Sequence, residues 1–475
     1  MRTLVWFKND LRVSDHPALA AARDQGQVVA CYCMSAVQWR RHDMGDWRLA
    51  FQLRTLEALR AQLQRLHIEL FIVDAPEFAD VPAALIDLSA RLQVDAVASI
   101  DEYPLNERRR DDAVEQALRK AGLQVSRHVG DVVVEPGVLK TGIGDPYTVF
   151  TPFYKKWLSR AEHAVEQLTR VPGPAPKFEL PAADRKNKVL DNKTVPAEVD
   201  GVDRSLGESL WPAGEEVAQQ LLDTFITTRA KRYPDDRDVP SLPGTSGLSA
   251  HLAVGSISAR QCVAAAMRAS LHVPQAADGL QKWISEIAWR DFYRHIVAQF
   301  DHVSKGAAFR REKDRLPWRH APDELQAWQE GLTGYPLVDA AMRQLNETGW
   351  MHNRLRMIAA MFLTKHLLID WRAGEKYFMQ KLVDGDFASN NGGWQWSAST
   401  GTDAAPYFRI FNPTSQGSKF DRGGAFTTQY IPELRGLDAK YMFEPHKAGV
   451  TSYPAPMVDH KSARERALAF FKANL

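Results

Sequence analysis

Short apolar or β-branched runs alternate with longer amphipathic stretches between residue 3 and about residue 130. The runs at 3–7, 28–34, 69–74, 96–100 and 124–129 predict strands, and segments such as 46–67 and 106–121 carry apolar residues at helical spacing. Alternation of this kind predicts parallel strands joined by crossover helices. We therefore expect an α/β N-terminal domain with a parallel, Rossmann-like sheet over residues 1–130.

The pattern changes after this domain. Residues 131–214 are predicted to form an interdomain connection, because 171–214 is rich in proline, lysine, aspartate and asparagine and shows little apolar periodicity. From about residue 215 the strand-like alternation disappears, and helical patterns recur at 215–231, 258–270, 281–300, 337–347 and 353–368. Residues 215–475 are therefore predicted to be an all-helical domain.

Composition and charge narrow the class of protein. The chain has 475 residues and a formal net charge of +2, and it contains no apolar run long enough to cross a membrane. Charged residues appear too early for a signal peptide, so a cytoplasmic location is expected. Cys31, Cys33 and Cys262 lack the spacing of a zinc site or a disulfide framework, so buried reduced thiols and no metal are expected. A net charge near zero does not exclude a local basic surface that binds nucleic acid, because it is summed over the whole chain.

Several enzyme classes lack their signatures. The first strand is followed by Lys8–Arg12 rather than by a Gly-x-Gly-x-x-Gly turn, and no P-loop, His-Glu-x-x-His or Gly-x-Ser-x-Gly sequence occurs. The sequence therefore does not indicate a nicotinamide dehydrogenase, a P-loop ATPase or one of the common hydrolases. Ligands of open α/β sheets bind beyond the carboxyl ends of the strands, which here are the loops near 8–16, 35–46 and 101–107.

Tryptophan is unexpectedly frequent and regionally concentrated. The chain has 13 tryptophans against 12 tyrosines, and eight of the tryptophans lie beyond residue 280. One interpretation is that they fill helical cores, since an indole buries a large area. The other is that some of the rings stack on a planar ligand or relay electrons.

Four segments combine side chains suited to a ligand. Residues 384–404 hold acids, amides and glycines that are poor material for a buried helix, so they form either a polar ligand site or a capped loop. Residues 233–249 offer hydroxyls and backbone N–H groups for phosphate, or simple helix caps. Residues 283–291 place an acid, an indole and a cation on one helical side, as a site or as an exposed ion pair. Residues 352–357 add an amide, a thioether and arginines.

Together these segments resemble the DNA photolyase and cryptochrome family, most closely the bacterial class I cyclobutane pyrimidine dimer photolyases. The resemblance is carried by Trp6-Phe7-Lys8-Asn9-Asp10-Leu11-Arg12 and by the residues of 371–420, which include Asp384-Gly385-Asp386, Asn390-Asn391-Gly392-Gly393-Trp394-Gln395-Trp396 and Asn412-Pro413. It runs nearly from end to end. It implies an enzyme that repairs DNA under blue or near-ultraviolet light.

The resemblance implies FAD as the cofactor, active as the reduced anion and bound in the helical domain. Arg356 and Asp384 would form an ion pair over the isoalloxazine, Asp386 would meet its polar edge and Asn390 would face N5. The remaining implied cofactor residues are Tyr233, Thr245, Ser246, Gly247, Leu248, Ser249, Glu286, Arg290, Asn353 and Gly385.

It also implies a substrate site for a pyrimidine dimer that has left the DNA helix. Glu286 and Asn353 would hydrogen-bond the dimer carbonyls, Met357 would contact the bases, and Trp289 and Trp396 would form aromatic walls. Arg237, Arg290, Arg354 and Arg409 would hold DNA phosphates. The basic segment 305–320 would belong to the DNA-facing surface.

Two further features follow from the same resemblance. Trp394, Trp371 and Trp318 match the family's relay, which carries electrons inward from the surface to the flavin. His42, Asn106 and Glu107 lie in loops where ligands were expected, and they resemble the antenna site of a folate, 5,10-methenyltetrahydrofolate. An alternative is that Asn106 only caps a helix whose first turn contains Glu107.

Within the family the residues favour repair. Asn353 and Met357 fit the dimer-repair pattern, whereas (6-4) photolyases carry histidines in this segment. We expect a monomer that acts on UV-damaged DNA, without a membrane. The alternatives are a blue-light photoreceptor of the cryptochrome type without repair activity and, more remotely, a light-independent flavin oxidoreductase.

Overall fold

The N-terminal part of the computed structural model, which describes residues 1–174 and 194–474, is built on a five-stranded parallel sheet. The strands are β1 (Arg2–Phe7), β2 (Gln27–Met34), β3 (Leu70–Asp74), β4 (Ala96–Ile100) and β5 (Gln124–His128), in the order β3-β2-β1-β4-β5. The connecting helices are α1 (Pro17–Gln25), α2 (Ala36–Arg41), α3 (Asp46–Arg65), α4 (Val81–Leu92) and α5 (Leu105–Lys120). The predicted α/β fold is confirmed.

The central strands have side chains buried on both faces, as their continuous apolar sequences require. In β1, Leu4 and Trp6 pack in one core with Val29 and Cys31, while Val5 and Phe7 pack in a second core beneath α3. The two cores lie on opposite faces of the sheet because side chains alternate along a strand. Cys31, Cys33 and Cys262 are buried free thiols.

The region between the two domains contains regular structure that the sequence pattern did not predict. Helix α6 (Phe150–Glu166) buries Phe150, Phe153 and Trp157, and it packs on the helices of the C-terminal part. A short hairpin, β6 (Glu198–Val199) and β7 (Val202–Asp203), follows. The predicted proline-rich connection falls partly on residues 175–193, which lie outside the described residues.

From residue 215 onward the described chain is helical, as predicted. The α-helices are α7 (Glu215–Thr224), α8 (Tyr233–Asp236), α9 (Ser249–Val254), α10 (Ala259–His272), α11 (Ala277–Gln299), α12 (Pro322–Glu330), α13 (Pro336–Thr348), α14 (Asn353–Met361), α15 (Trp371–Lys381), α16 (Phe387–Ala398), α17 (Pro413–Phe420), α18 (Ala425–Tyr430) and α19 (His460–Ala473). The 3₁₀ turns are Ala230–Arg232, Pro274–Ala276, Val303–Lys305, Arg311–Lys313, Arg422–Gly424, Pro432–Leu434, Ala439–Tyr441 and Pro445–Ala448.

Two predicted helices differ from expectation in their last turns. The helix expected at 215–231 becomes a π-helix at Phe225–Arg229, and the one expected at 353–368 becomes a π-helix at Phe362–His366. Such π turns are frequent at functional sites because they redirect side chains. Here each lies next to a segment predicted to bind the cofactor.

Buried polar bonds join the loop after β1 to the helical part. Arg12, which is 1% exposed, donates to the carbonyl oxygens of Asp15, Gly130 and Gly255. The Glu215 carboxylate accepts from the backbone N–H groups of Val13 and Ser14 at 2.7 and 3.0 Å. The 6–12 motif therefore fixes the α/β domain against the helical domain through its arginine.

A search of the described residues finds no helix with the length and apolarity needed to span a membrane.

His251 on α9 contributes a pH-dependent contact between the two domains. Its ring packs edge-on against Phe51 of α3 at 5.1 Å, and its Nδ1 lies 2.8 Å from the Ser256 hydroxyl. Burial lowers the pKa of His251 to about 4. Because the folded protein holds the neutral ring, the unfolded chain binds more protons between about pH 4 and 6.5, and stability is lost as the pH falls through that window.

We expect His251→Gln to weaken this acid dependence. The free energy of unfolding of the wild-type protein should fall by about 2 kcal/mol more than that of the variant between pH 8 and pH 5. Denaturant unfolding at both pH values measures the difference. Equal losses for the two proteins would show that His251 is protonated as readily in the folded as in the unfolded chain.

Candidate active site

A buried network of arginines and aspartates surrounds the start of α16. Arg294 on α11 donates to Asp386 through two nitrogens at 3.1 Å and to Asp131 through Nε at 2.5 Å. Arg290, one turn earlier, pairs with the Asp131 carboxylate and donates to the Asp131 backbone oxygen. Asp386 also caps α16 by accepting from the N–H of Ser389 at 3.0 Å. The network joins the connection, α11 and α16 at one point.

The electrostatics of Asp386 reflect this environment. Burial alone would raise the pKa of its carboxyl, but the guanidinium groups of Arg294 and Arg290 outweigh that effect and lower the pKa to about 2. Asp386 is therefore a fixed negative charge at any physiological pH. Its predicted place at the polar edge of a flavin stays a prediction, and its carboxylate already accepts three hydrogen bonds, two from Arg294 and one from Ser389.

A second ion pair lies on the neighbouring segment. Arg356 on α14 holds Asp384 through Nη2 at 2.8 and 3.1 Å, and its Nε donates to the Met351 oxygen at 2.7 Å. The Asp384 side chain is 4% exposed, whereas that of Arg356 is 25% exposed. The pair that the resemblance implied therefore forms, and the Arg356 guanidinium stays partly exposed.

Asn390 has the geometry of an oriented acceptor. Its amide nitrogen donates to the backbone oxygen of Glu375 on α15 at 2.9 Å, which leaves the amide oxygen to face another group. The Glu375 side chain accepts from Asn391 at 2.8 Å. Burial raises the pKa of Glu375 to about 7. Helix α15 therefore fixes both amides of the polar motif.

The predicted phosphate-binding segment forms a loop that ends at α9. Tyr233 is buried at the start of α8, and Thr245, Ser246, Gly247 and Leu248 lead into Ser249, the first residue of α9. Gly247 has a positive φ of 74°, which favours glycine, and a Cβ there would meet open space. Thr245, Ser246 and Gly247 are half-buried in this loop, and Ser249 is exposed.

Charged residues form a rim beside this loop. Glu286 on α11 pairs with Arg237, and Arg354 on α14 pairs with Asp238 at 2.8 Å. Arg354 Nη1 also lies 4.0 Å from the sulfur of Met357. Four of the residues predicted to contact substrate or DNA are thus brought together, and Asn353 is exposed beside them.

The arginines predicted to hold phosphates differ in their surroundings. Arg409 is exposed in the loop after α16, whereas Arg237 and Arg354 belong to the charged rim. Arg290 is buried against Asp131 and also donates to the Leu252 oxygen at 3.2 Å. The DNA-phosphate role of Arg290 stays a prediction, and it would require Arg290 to leave its pair with Asp131.

Trp394 and Trp371 are held together by a close approach between α15 and α16. Gly374 lies one turn after Trp371, and a Cβ on it would fall 2.1 Å from the Trp394 ring. Trp371 and Trp394 are 0% and 2% exposed and share one core. Trp318 is partly buried against the same core and packs on Phe470 and Phe471 of α19 at 5.5 and 6.1 Å.

These three indoles share a chemical property. In the part of the chain that the structure describes, the buried Nε1 groups of Trp318, Trp371 and Trp394 have no hydrogen-bond partner. By contrast, Trp157, Trp211 and Trp328 donate to Asp291, Thr348 and Ala359. Trp6 Nε1 in the N-terminal sheet is unpartnered too, so this property is compatible with an electron relay but does not by itself single out the three indoles.

The predicted antenna residues meet at a cavity between the two domains. The cavity has a volume of about 440 Å³ and is lined by His42, Asn106 and Glu107 together with Phe78. Asn106 Nδ2 lies 3.0 Å from His42 Nε2, and Glu107 lies 3.4 Å from His42 Nδ1. The cap of α5 is Pro104, and no side chain bonds to its first turn there. Asn106 is therefore directed to His42 rather than to the helix end.

Sequence reasoning missed Arg48 and Gln52, which also line this cavity. Arg48 is buried, and its Nε and Nη1 lack partners among the described residues, as does Gln52 Oε1 on the next turn of α3. Burial lowers the pKa of Arg48 to about 10. A signal was present, because an arginine and a glutamine, four residues apart, fall on the same side of α3 as its leucines.

Comparisons with known proteins agree with this arrangement. A family model described as DNA photolyase matches residues 3–175, and one described as the FAD binding domain of DNA photolyase matches residues 283–473. A deoxyribodipyrimidine photo-lyase of Salmonella typhimurium is 44% identical over 99% of this chain and 98% of its own length. This chain belongs to the DNA photolyase family.

Two solved structures show how far the likeness extends. A bacterial class III photolyase from Agrobacterium tumefaciens covers the whole chain and 97% of its own, with a TM-score of 0.86 and 37% identity. A cryptochrome from Synechocystis covers 99% of both chains, with a TM-score of 0.85 and 25% identity. The expectation of a photolyase-family enzyme with a FAD-binding domain is confirmed.

The residues that the sequence predicted to bind the cofactor fit FAD. The Asn390 oxygen is a remaining acceptor, the Arg356 guanidinium is a partly exposed cation, and the loop ending at Ser249 contains hydroxyl and backbone N–H groups suited to phosphate. The carboxylates of Asp384 and Asp386 are already paired with arginines, so the site does not oppose a negatively charged cofactor.

Proposed function

We propose that this protein repairs cyclobutane pyrimidine dimers in DNA with the energy of blue or near-ultraviolet light. The observation that carries the proposal is the double use of α14. One turn of this helix carries Arg356, which pairs with Asp384. The same turn carries Arg354 and Met357, which belong to the charged rim. A substrate bound at the charged rim would therefore lie close to a flavin held by Arg356 and Asp384.

FAD, when bound in its reduced state and excited by light, supplies the electron that splits the dimer. The protein side chains prepare the substrate. Glu286 and Arg237 form a pair whose hydrogen-bonding groups can meet the dimer carbonyls where negative charge develops, and the exposed amide of Asn353 can do the same. Trp289 and Trp396 are half-buried and would stack on bases removed from the helix.

DNA binding in this proposal depends on local charge. Arg409 is exposed, and Arg237 and Arg354 can exchange their carboxylate partners for phosphate. The segment 305–320 adds exposed arginines near Trp318. The protein would act as a monomer on damaged DNA in the cytoplasm. We further propose the division into residues 1–130, 131–214 and 215–475.

We assign the relay to Trp394, Trp371 and Trp318. The close approach of α15 to the Trp394 ring and the three unpartnered indole nitrogens support this assignment. For the antenna we propose 5,10-methenyltetrahydrofolate at His42, Asn106 and Glu107, because these three side chains meet at one cavity mouth. The Nε and Nη1 groups of Arg48, which have no partner among the described residues, also favour a ligand with polar atoms in this cavity.

The alternative is a photoreceptor of the cryptochrome type, which the Synechocystis neighbour keeps open. Two relatives named deoxyribodipyrimidine photo-lyase at 44% identity favour repair. Asn353 and Met357 at the rim favour cyclobutane dimers.

The repair assay separates these functions. Purified protein with reduced FAD, mixed with an oligonucleotide that contains a thymine dimer, should restore the ultraviolet absorbance of thymine under blue light and leave it unchanged in the dark. A photoreceptor without repair activity would leave the dimer intact under both conditions, and that result would exclude the proposal.

Trp318→Phe should separate photoreduction from repair. We expect the variant to reduce oxidised FAD more slowly under light, because the outermost donor is lost, but to repair dimers normally once its FAD is reduced chemically. Transient absorption measures the first step and the repair assay the second. Trp211→Phe, in a position outside the proposed relay, is the control. Equal losses of both activities in Trp318→Phe would refute the relay assignment.

A further inference from the structure

Phe150, the first residue of α6, covers one face of Trp289. The two rings are nearly parallel, with an interplanar angle of 8° and a centroid separation of 3.7 Å. Phe150 is itself fixed, because Tyr154 stacks on it at 5.6 Å and Phe292 meets it edge-on at 5.9 Å. The half-buried Trp289 ring therefore lies on a rigid aromatic support rather than on solvent.

The backbone of Phe150 is tied to the loop that follows Trp396. Its N–H donates to the Asp403 carboxylate at 3.1 Å, and Thr402 donates its hydroxyl to the Thr148 oxygen at 2.5 Å. The same loop returns to α16, since the N–H of Ala405 donates to the Trp396 oxygen at 3.2 Å. One short segment, residues 148–150, thus contacts the ring of one predicted wall and the loop beside the other.

The hydrogen bond between the Phe150 N–H and the Asp403 carboxylate is also favoured electrostatically. Phe150 is at the N-terminal end of α6, where unpaired N–H groups favour a carboxylate, and Asp403 supplies that group. Asp403 has a positive φ of 44°, a conformation that aspartate tolerates better than most residues. The carboxylate that bonds to the start of α6 thus comes from a residue in the left-handed region of backbone conformation.

We propose that Phe150, with its bond to Asp403, is a positioning residue that sets the plane of Trp289 and its spacing from Trp396. The inference rests on the proposed function, because it assigns these two indoles to the walls of the dimer site. Two linked bases need two faces at a fixed separation, whereas undamaged duplex DNA needs neither. Phe150 would thus act on recognition of the dimer and not on general DNA binding.

Binding measurements on Phe150→Leu test this role. The variant keeps an apolar side chain but loses the stack, and we expect its Kd for a dimer-containing oligonucleotide to rise by about ten-fold. Its Kd for the undamaged oligonucleotide and its FAD content should match the wild-type protein. Phe150→Tyr keeps the ring and should restore tight binding of the dimer. Asp403→Asn keeps the size of the side chain that bonds to Phe150 but removes its negative charge, and it should weaken dimer binding by a smaller factor.

Phe426→Leu, which removes a buried ring from α18, is the matched control for a general loss of packing. Dimer affinity of Phe150→Leu equal to that of the wild-type protein would overturn the inference, as would an equal loss of affinity for damaged and undamaged DNA. A wild-type protein that itself fails to prefer the dimer would instead refute the proposed function.

Discussion

The pairing of Arg294 with Asp131 and Asp386 is the interaction on which the rest of the site depends. The Arg294 side chain is 7% exposed, and those of Asp131 and Asp386 are 17% and 23% exposed, so all three charges are largely shielded from water and each is unfavourable without a partner. The guanidinium satisfies two carboxylates from segments more than 250 residues apart in the chain. Because Asp386 also caps α16, the position of this helix, with its amides and tryptophans, follows from one ionic contact.

This arrangement couples the three parts of the proposed activity. Helix α16 carries Asn390, which we assign to the flavin, Trp394, which is buried in the core with Trp371, and Trp396, which we assign to the substrate. Helix α14 joins the Arg356–Asp384 pair to the charged rim. The interdomain cavity is lined at one end by Asp386 and Glu375, so an antenna ligand there would adjoin the same network. Light collection, electron supply and substrate binding would thus share one rigid scaffold.

The sequence predicted the elements better than their contacts. The strands were readable because residues such as Val29 and Leu4 belong to continuous apolar runs that only a sheet covered on both faces can bury. Helix α6 was missed, although Phe153 and Trp157 repeat at helical spacing, because it lies within the predicted connection. The π turn at Phe362–His366 could not be foreseen, since the apolar period does not distinguish it from an α-helical turn.

The candidate site shows the same division. The Arg356–Asp384 pair was expected only from the family resemblance, because no local pattern links positions 28 residues apart. The pairing of Arg290 with Asp131 was not foreseen for the same reason, since the sequence pattern linked Arg290 only to Glu286 on its own helix. Phe150 gave no chemical signal in the sequence. Its role depends on a stack that exists only in the folded protein.

Replacement of Arg294 tests the central claim most directly. In Arg294→Met, Asp386 loses its main partner, so FAD should bind at least about ten-fold more weakly and amide hydrogen exchange across α16 should accelerate. In Arg294→Met with Asp386→Asn, the unpaired charge is gone and part of the protection should return. Arg343→Met, at a partly exposed ion pair, is the control. Wild-type FAD affinity and unchanged exchange in Arg294→Met would contradict the account.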